Sequence, residues 1–303
     1  MRKHFLTLFD LSSEEISALL KRALAMKSGI DANRCPLIGK SIGLLFEKAS
    51  TRTRVSFEVG IYQLGAHPIY LTPHEIQLGR GETIPDTARA LSRYLDAVVI
   101  RTFGHDLLVE FSTHSSVPVI NGLSDLHHPC QALGDLMTIL ERKGRLQGIR
   151  LAYIGDGNNV ANSLVEAASL TGMSLTIACP EGHEPAPEVL DRARSAKGEI
   201  IILREPKEAA GRADVIYTDV WVSMGQENES EKKKKRFEGY QINSKLLSCA
   251  KNDAIILHCL PAHRGEEITS EVMDGPQSAI FDQAENRLHA QKALLEMLVA
   301  GHS

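Results

Sequence analysis

The stretch Ser41-Ile42-Gly43-Leu44-Leu45-Phe46-Glu47-Lys48-Ala49-Ser50-Thr51-Arg52-Thr53-Arg54-Val55 decides how the chain reads. Its first six residues form an apolar run of strand length, and the chain passes through Glu47–Ala49 to a helix start. Ser50 and Thr51 are candidate N-caps, Val55, Val59 and Tyr62 fall at i, i+4, i+7 on one apolar face, and Gly65 is placed to stop the helix. A strand that feeds a helix in this way opens a βα unit.

Working outward, the alternation recurs. Further strands are predicted at His67–Leu71, Asp96–Arg101 and Val117–Ile120, then at Ile149–Ile154, Ser174–Ala178, Glu199–Leu203, Asp214–Thr218 and Ala254–His258. A helix is expected from Pro129 to Arg142. The polar, glycine-containing segment Lys143–Gly148 follows it and marks a domain boundary. The fold class is therefore α/β, with two domains, each a parallel β-sheet flanked by helices, spanning residues 1–143 and 144–285. The last helical stretch, Ala284–Val299, has no strand after it. The alternation leaves open whether it caps its own domain or crosses back, and residues 286–303 are expected to return to the first domain. The run Lys232–Lys235, flanked by acidic residues, reads as a solvated helix face.

Composition excludes several classes. The 303 residues hold 34 basic and 38 acidic side chains, a net charge of −4, so nothing favours a nucleic-acid partner. Asp10 and then Glu14-Glu15 cut off the N-terminal apolar stretch before it could serve as a signal sequence, and no apolar run approaches the ~20 residues that span a bilayer. No membrane partner and a cytoplasmic location are expected. The five cysteines, 35, 130, 179, 249 and 259, are odd in number and lack a CxxC pair, which points to reduced thiols rather than a disulfide framework or zinc knot.

Five constellations could do chemistry. Ser50-Thr51-Arg52-Thr53-Arg54 joins hydroxyls and guanidinium forks to the free N–H groups of a helix start, an arrangement suited to a phosphate; a plain N-cap with two surface arginines is the bland alternative. In His128-Pro129-Cys130-Gln131, also at a helix start, His128 can donate to a carbonyl oxygen while Gln131 can accept from an amide; two satisfied capping residues would look the same. His258-Cys259-Leu260-Pro261 ends a strand, where parallel sheets bind ligands. Cys259 there is inert packing, a polar contact or a nucleophile without an identifiable base. Asp219-Val220-Trp221-Val222-Ser223-Met224-Gly225 follows another strand end, where Asp219 could bind an ammonium group or simply close a turn. Gly155-Asp156-Gly157-Asn158-Asn159 invites a dinucleotide reading, but Val160 and Ala161 stand where the third glycine of that fingerprint belongs. A tight βα turn lining a ligand fits better. The His127, His128, Cys130 group and the His258, Cys259, His263 group lack the spacing of structural zinc sites, so no metal is expected.

Together these motifs resemble the aspartate/ornithine carbamoyltransferase family. Ser-Thr-Arg-Thr-Arg, His-Pro-Cys-Gln and His-Cys-Leu-Pro occur in the family's order, and Asp-Val-Trp-Val-Ser-Met-Gly looks like the loop of its ornithine-using branch. The resemblance runs from about Phe5 to Leu298 and includes Gln77–Glu82 and Glu285–His289. It implies transfer of the carbamoyl group of carbamoyl phosphate to the δ-amine of L-ornithine, with no cofactor, in arginine biosynthesis. By resemblance, Ser50, Thr51, Arg52 and Thr53 bind the phosphate, with Gln77 reaching in from a neighbouring subunit of a homotrimer or a multiple of trimers. Arg101 and His128 hold the carbonyl oxygen, Gln131 and the Leu260 carbonyl hold the carbamoyl NH₂, and Cys259 and Arg287 complete that site. The bond before Pro261 is expected to be cis. Asn159, Asp219, Ser223 and Met224 match the ornithine positions, and Arg101, His128, Asp219 and Cys259 are the catalytic set. Arg52, Arg54, Arg101 and Arg287 are expected to converge on one anionic ligand, with Cys259 and also Cys130 considered for the site. The rival readings are another amine acceptor, such as putrescine or an N-acylated ornithine, and a nicotinamide-dependent oxidoreductase built on the Gly155–Asn159 turn.

Overall fold

The strands form where the alternation places them. The computed structural model describes residues 4–30, 34–72, 81–194, 199–222 and 230–300. Strands β1 (Ser41–Phe46), β2 (His67–Leu71), β3 (Ala97–Arg101) and β4 (Val119–Leu123) make one parallel sheet in the order β2-β1-β3-β4. Strands β5 (Arg150–Ile154), β6 (Ser174–Ala178), β7 (Ile200–Leu203), β8 (Val215–Thr218) and β9 (Ile255–His258) make a second, in the order β7-β6-β5-β8-β9. Helices supply the crossovers that parallel strands require.

The chain divides into two compact units, Met1–Met137 with Asn286–Ser303, and Thr138–Glu285. Both divisions fall inside helices, Pro129–Lys143 and Ile280–Val299. In the first unit the aliphatic β1, β3 and β4 side chains pack with Ala88, Leu108 and Phe111 from the crossover helices. In the second, Ile154, Ile216 and Ile256 pack with Trp221, Phe237 and Ile280.

Only β4 departs noticeably from its expected bounds, starting at Val119 and running to Leu123. Pro118 has no N–H to give the ladder. Asn121-Gly122 stays in the strand because Gly122 lies flat against β3, where an added Cβ would sit 3.2 Å from the Ile100 carbonyl oxygen.

The helix after β1 runs from Thr51 to Gln63, with Ser50 Oγ accepting from the Thr53 N–H at 3.2 Å. Such a cap contributes about 1 kcal/mol. Gly65 adopts φ +85° just beyond the helix end, as its placement predicts. The buried face differs from the expected apolar stripe. Thr53, Phe57, Gly60 and Ile61 face inward, while Val55, Val59 and Tyr62 are 50%, 37% and 77% exposed. Gly60 makes the inward face flat enough for the C-terminal helix, since a Cβ there would meet Lys292 Cγ at 3.2 Å. That helix returns to the first unit, with Glu296 accepting from Arg22 Nε at 2.6 Å and Lys292 Nζ donating to Gln63 at 2.8 Å.

Each sheet has one point where successive crossovers leave in opposite directions, between β1 and β3 and between β5 and β8. The carboxyl ends of the strands at such a point are the usual ligand position in open α/β sheets. No helix among the described residues is long and apolar enough to cross a membrane.

Candidate active site

In the first unit the pairing of Phe46 with Arg101 sets the carboxyl ends of β1 and β3 side by side, with Ser50–Thr53 opening the helix beyond them. Buried Thr53 Oγ1 accepts from Arg287 Nη2 at 3.1 Å and lies 3.5 Å from Arg101 Nη1. Arg287 Nη1 donates to Gln131 Oε1 at 2.6 Å, and Gln131 Nε2 donates to Asp135 Oδ1 at 2.8 Å. Gly134 admits the Arg287 stem, whose Cδ lies 3.2 Å from where a Cβ would be. Two guanidinium groups from distant parts of the chain thus meet the helix start, an arrangement that suits an oxyanion.

His128 is buried beside them. Burial, and then the charges of Arg287, Arg101 and Arg52, push its pKa well below the ordinary 6.5. At neutral pH it is an uncharged imidazole, able to donate one hydrogen bond without adding a fourth positive charge.

Two expected contributors are engaged elsewhere. The Arg54 guanidinium lies 3.6 Å from the Tyr70 ring centroid and donates to Glu58 at 3.0 Å, so it pairs along the surface instead of joining Arg52, Arg101 and Arg287. Cys130 is buried, with its thiol donating to the Asn121 carbonyl at 3.3 Å and its pKa pushed up to about 12 by burial; it is a packed thiol. The Glu47–Ala49 loop is braced by residues that no sequence motif marks. Lys48, nearly all of it buried, reaches Asp125 at 2.5 Å and lies 4.0 Å from the centre of the Phe103 ring, while Glu47 accepts from the Thr102 hydroxyl. Their sequence signal is weak, since a charged residue in a short loop ordinarily faces water.

In the second unit the loops after β5, β8 and β9 meet at Asp219. Its Oδ2 accepts from Asn158 Nδ2 at 2.7 Å, and its Oδ1 accepts from the Val220 N–H and the Cys259 thiol, both at 2.8 Å. Asn158 also caps the Asn159–Thr171 helix through its oxygen, which places Asn159 in the first helical turn. A carboxylate has about four acceptor positions, so Asp219 keeps room for an ammonium or amine donor.

A relay fixes the Cys259–Pro261 turn. His258 Nδ1 accepts from the Leu260 N–H at 2.9 Å, so its Nε2 carries the proton and donates to buried Glu267 at 3.1 Å. Glu267 accepts the His263 N–H at 2.6 Å as well. Leu260 has φ +59°, and the Leu260–Pro261 bond is cis, as expected. Asp219, His258 and Cys259 bring ligand-type atoms within 4.8 Å of one another, but these hydrogen bonds already account for the cluster. Gln77, Ser223 and Met224 lie outside the described residues.

The dinucleotide alternative meets a filled turn. A Cβ at Gly157 would lie 2.2 Å from Glu184 C and 2.3 Å from Pro185 N, so the glycine permits close packing against the chain itself. Tyr153, whose pKa is raised well above 10 by burial and then by Asp219 and Asp156, stays protonated and donates to the Asp156 carbonyl at 2.9 Å.

Residues 3–141 match the family model for the aspartate/ornithine carbamoyltransferase carbamoyl-P binding domain, and residues 147–298 match that for the Asp/Orn binding domain. Among curated relatives, an ornithine carbamoyltransferase from Syntrophus aciditrophicus is 53% identical, covering 99% of this chain and 100% of its own. One from Methanoculleus marisnigri is also 53% identical, covering 99% and 98%. Among solved structures, ornithine carbamoyltransferase from Pyrococcus furiosus superposes with a TM-score of 0.95 at 48% identity, covering 99% of this chain and 98% of that one.

Proposed function

The chain belongs to the aspartate/ornithine carbamoyltransferase family, and we propose that it transfers the carbamoyl group of carbamoyl phosphate to the δ-amine of L-ornithine, giving L-citrulline and phosphate. The observation behind this reading is the convergence of Arg101 and Arg287 on Thr53 beside a neutral His128 at a capped helix start. Residues 1–143 with the helix in 286–303 take carbamoyl phosphate, and residues 144–285 take ornithine.

In this reading Ser50, Thr51, Arg52 and Thr53 bind the phosphate. The ornithine amine lone pair attacks the carbamoyl carbon, a tetrahedral intermediate forms, and the carbon–oxygen bond to phosphate breaks. Negative charge grows on the carbonyl oxygen, where Arg101 and neutral His128 donate. Gln131 Oε1 keeps a second lone pair beyond the one that Arg287 occupies, and with the Leu260 carbonyl it orients the carbamoyl NH₂. A free amine of this kind has a pKa near ~10.4. Asp219 and Cys259 therefore have to orient its neutral form, and the departing phosphate takes the proton. Asn159, Ser223 and Met224 bind the rest of ornithine. No electron changes hands, so the balance calls for no redox cofactor.

A homotrimer, or a multiple of trimers, fits the exposed Val55, Val59 and Tyr62 face, which a second copy would cover while supplying Gln77. A cytoplasmic role in arginine biosynthesis completes the proposal. The test is product formation from carbamoyl phosphate with a panel of ornithine, putrescine, N-acetylornithine and aspartate. Ornithine-dependent citrulline is expected; preferential carbamoylation of another amine overturns the acceptor assignment.

A further inference from the structure

The lysine run of residues 232–235 does not behave as one solvated face. Lys233, on the Ser230–Arg236 helix, has a side chain only 11% exposed, and its Nζ lies 2.7 Å from Asp156 Oδ2. The other oxygen of Asp156 pairs with His183 Nδ1 at 2.8 Å. Lys232 and Lys235 stay exposed, and Lys234 pairs with Glu266 at 2.7 Å. One lysine of the run is thus drawn inward to the turn after β5.

That turn holds the amine-binding cluster. Asp156 precedes Asn158 by two residues, and Asn158 donates to Asp219. Packing of Gly157 against the 183–185 backbone leaves the turn little freedom to slide. The same helix leads into Phe237, which stacks on Trp221 at 5.7 Å and meets the His183 ring edge-on at 4.9 Å. Trp221 lies two residues past Asp219. The chain on both sides of residues 223–229 is therefore tied to one cluster made of Asp156, His183, Trp221, Lys233 and Phe237.

We infer that Lys233 is a positioning residue for the amine acceptor: its ion pair with Asp156 holds the turn that aims Asn158 at Asp219. The inference rests on the proposed function and deepens it. A buried pair of this kind is costly to break, because removing one partner leaves the other charge uncompensated. Its role here is to set the geometry of a hydrogen-bonded site, since the ion pair is made with Asp156, two residues before Asn158.

The test compares Lys233→Met, Lys233→Arg and, as a surface control, Lys235→Met, in steady-state assays that vary ornithine and carbamoyl phosphate separately, with a thermal melt of each protein. Lys233→Met is expected to raise KM for ornithine roughly tenfold and to leave KM for carbamoyl phosphate within about twofold. Lys233→Arg should recover most of the loss, and Lys235→Met should match wild type. An ornithine KM unchanged in Lys233→Met overturns the inference, as does a variant that only melts earlier with both KM values intact. If Lys233→Met does not fold, Asp156→Asn removes the other half of the pair: an ornithine KM raised with KM for carbamoyl phosphate intact supports the inference, and an unchanged ornithine KM overturns it. Failure of the wild-type enzyme to make citrulline is a separate result that removes the functional reading and this inference with it.

Discussion

His128 sits where three guanidinium groups and the protein interior all disfavour a second proton. That environment links its chemistry to stability. The unfolded chain protonates this histidine near pH 6.5 while the folded chain resists, so below 6.5 the unfolded state binds more protons. Unfolding free energy should therefore fall as pH drops from 6.5 toward the lowered folded value, and lose nothing through this group above 6.5. Its slope is at most about 1.4 kcal/mol per pH unit. His4 and His105 are also depressed by burial and titrate in the same window, so the difference between wild type and a variant is the informative quantity. His128→Asn should show a shallower loss of stability in urea titrations run from pH 7 down to pH 5. Parallel pH profiles for the two proteins would contradict a neutral His128 in the fold.

At the level of elements, the sheets were readable because each strand is an apolar run bounded by polar or glycine-containing turns. β1, β2 and β6 lie at their expected bounds, and most others differ by a residue at one end. The helix faces were less readable. Val55, Val59 and Tyr62 have helical spacing but point outward, because spacing reports a stripe and not what covers it. Lys233 was hidden for the converse reason, since four consecutive lysines look alike until one meets a buried carboxylate. Motif residues at strand ends were legible, as the switch points of the sheets dictate, whereas Lys48 and His183, which brace them, are long-range partners, and Glu267, nine residues past His258, belongs to no motif. The Gly155–Asn159 turn illustrates a constraint that depends on tertiary packing. Gly157 needs no unusual φ, but the backbone of Glu184 and Pro185 fills the place of its Cβ. Gly157→Ala is expected to destabilise the second unit by about 1–3 kcal/mol and to raise KM for ornithine. Carbamoyl phosphate affinity, measured by calorimetry, should stay at the wild-type value. Loss of carbamoyl phosphate binding in a folded variant would show that the turn serves both substrates.

For the whole molecule, the net charge of −4 says little about the site, because the arginines around His128 are offset elsewhere in the chain. The more telling surface feature is apolar. The helix that opens with Ser50–Thr53, the proposed phosphate site, presents Val55, Val59 and Tyr62 to solvent, and Arg54 covers the neighbouring Tyr70 ring. Burying such side chains is worth about 1.5–3 kcal/mol each, so leaving all three in water forgoes several kcal/mol that self-association would recover. The face lies on the same helix as Ser50–Thr53, and on the proposed function a second copy that covers it also supplies Gln77. That proposal couples assembly to phosphate binding. Val55→Asp combined with Tyr62→Asp leaves the inward face of Phe57 and Ile61 untouched, so the fold should survive by circular dichroism while native mass drops toward the 33.2 kDa of one chain. On that proposal, carbamoyl phosphate should bind more weakly to that species, which lacks the Gln77 of a second copy. A variant that keeps the wild-type mass places the interface on another surface, and one that becomes monomeric with undiminished carbamoyl phosphate affinity shows that each subunit builds its phosphate site alone.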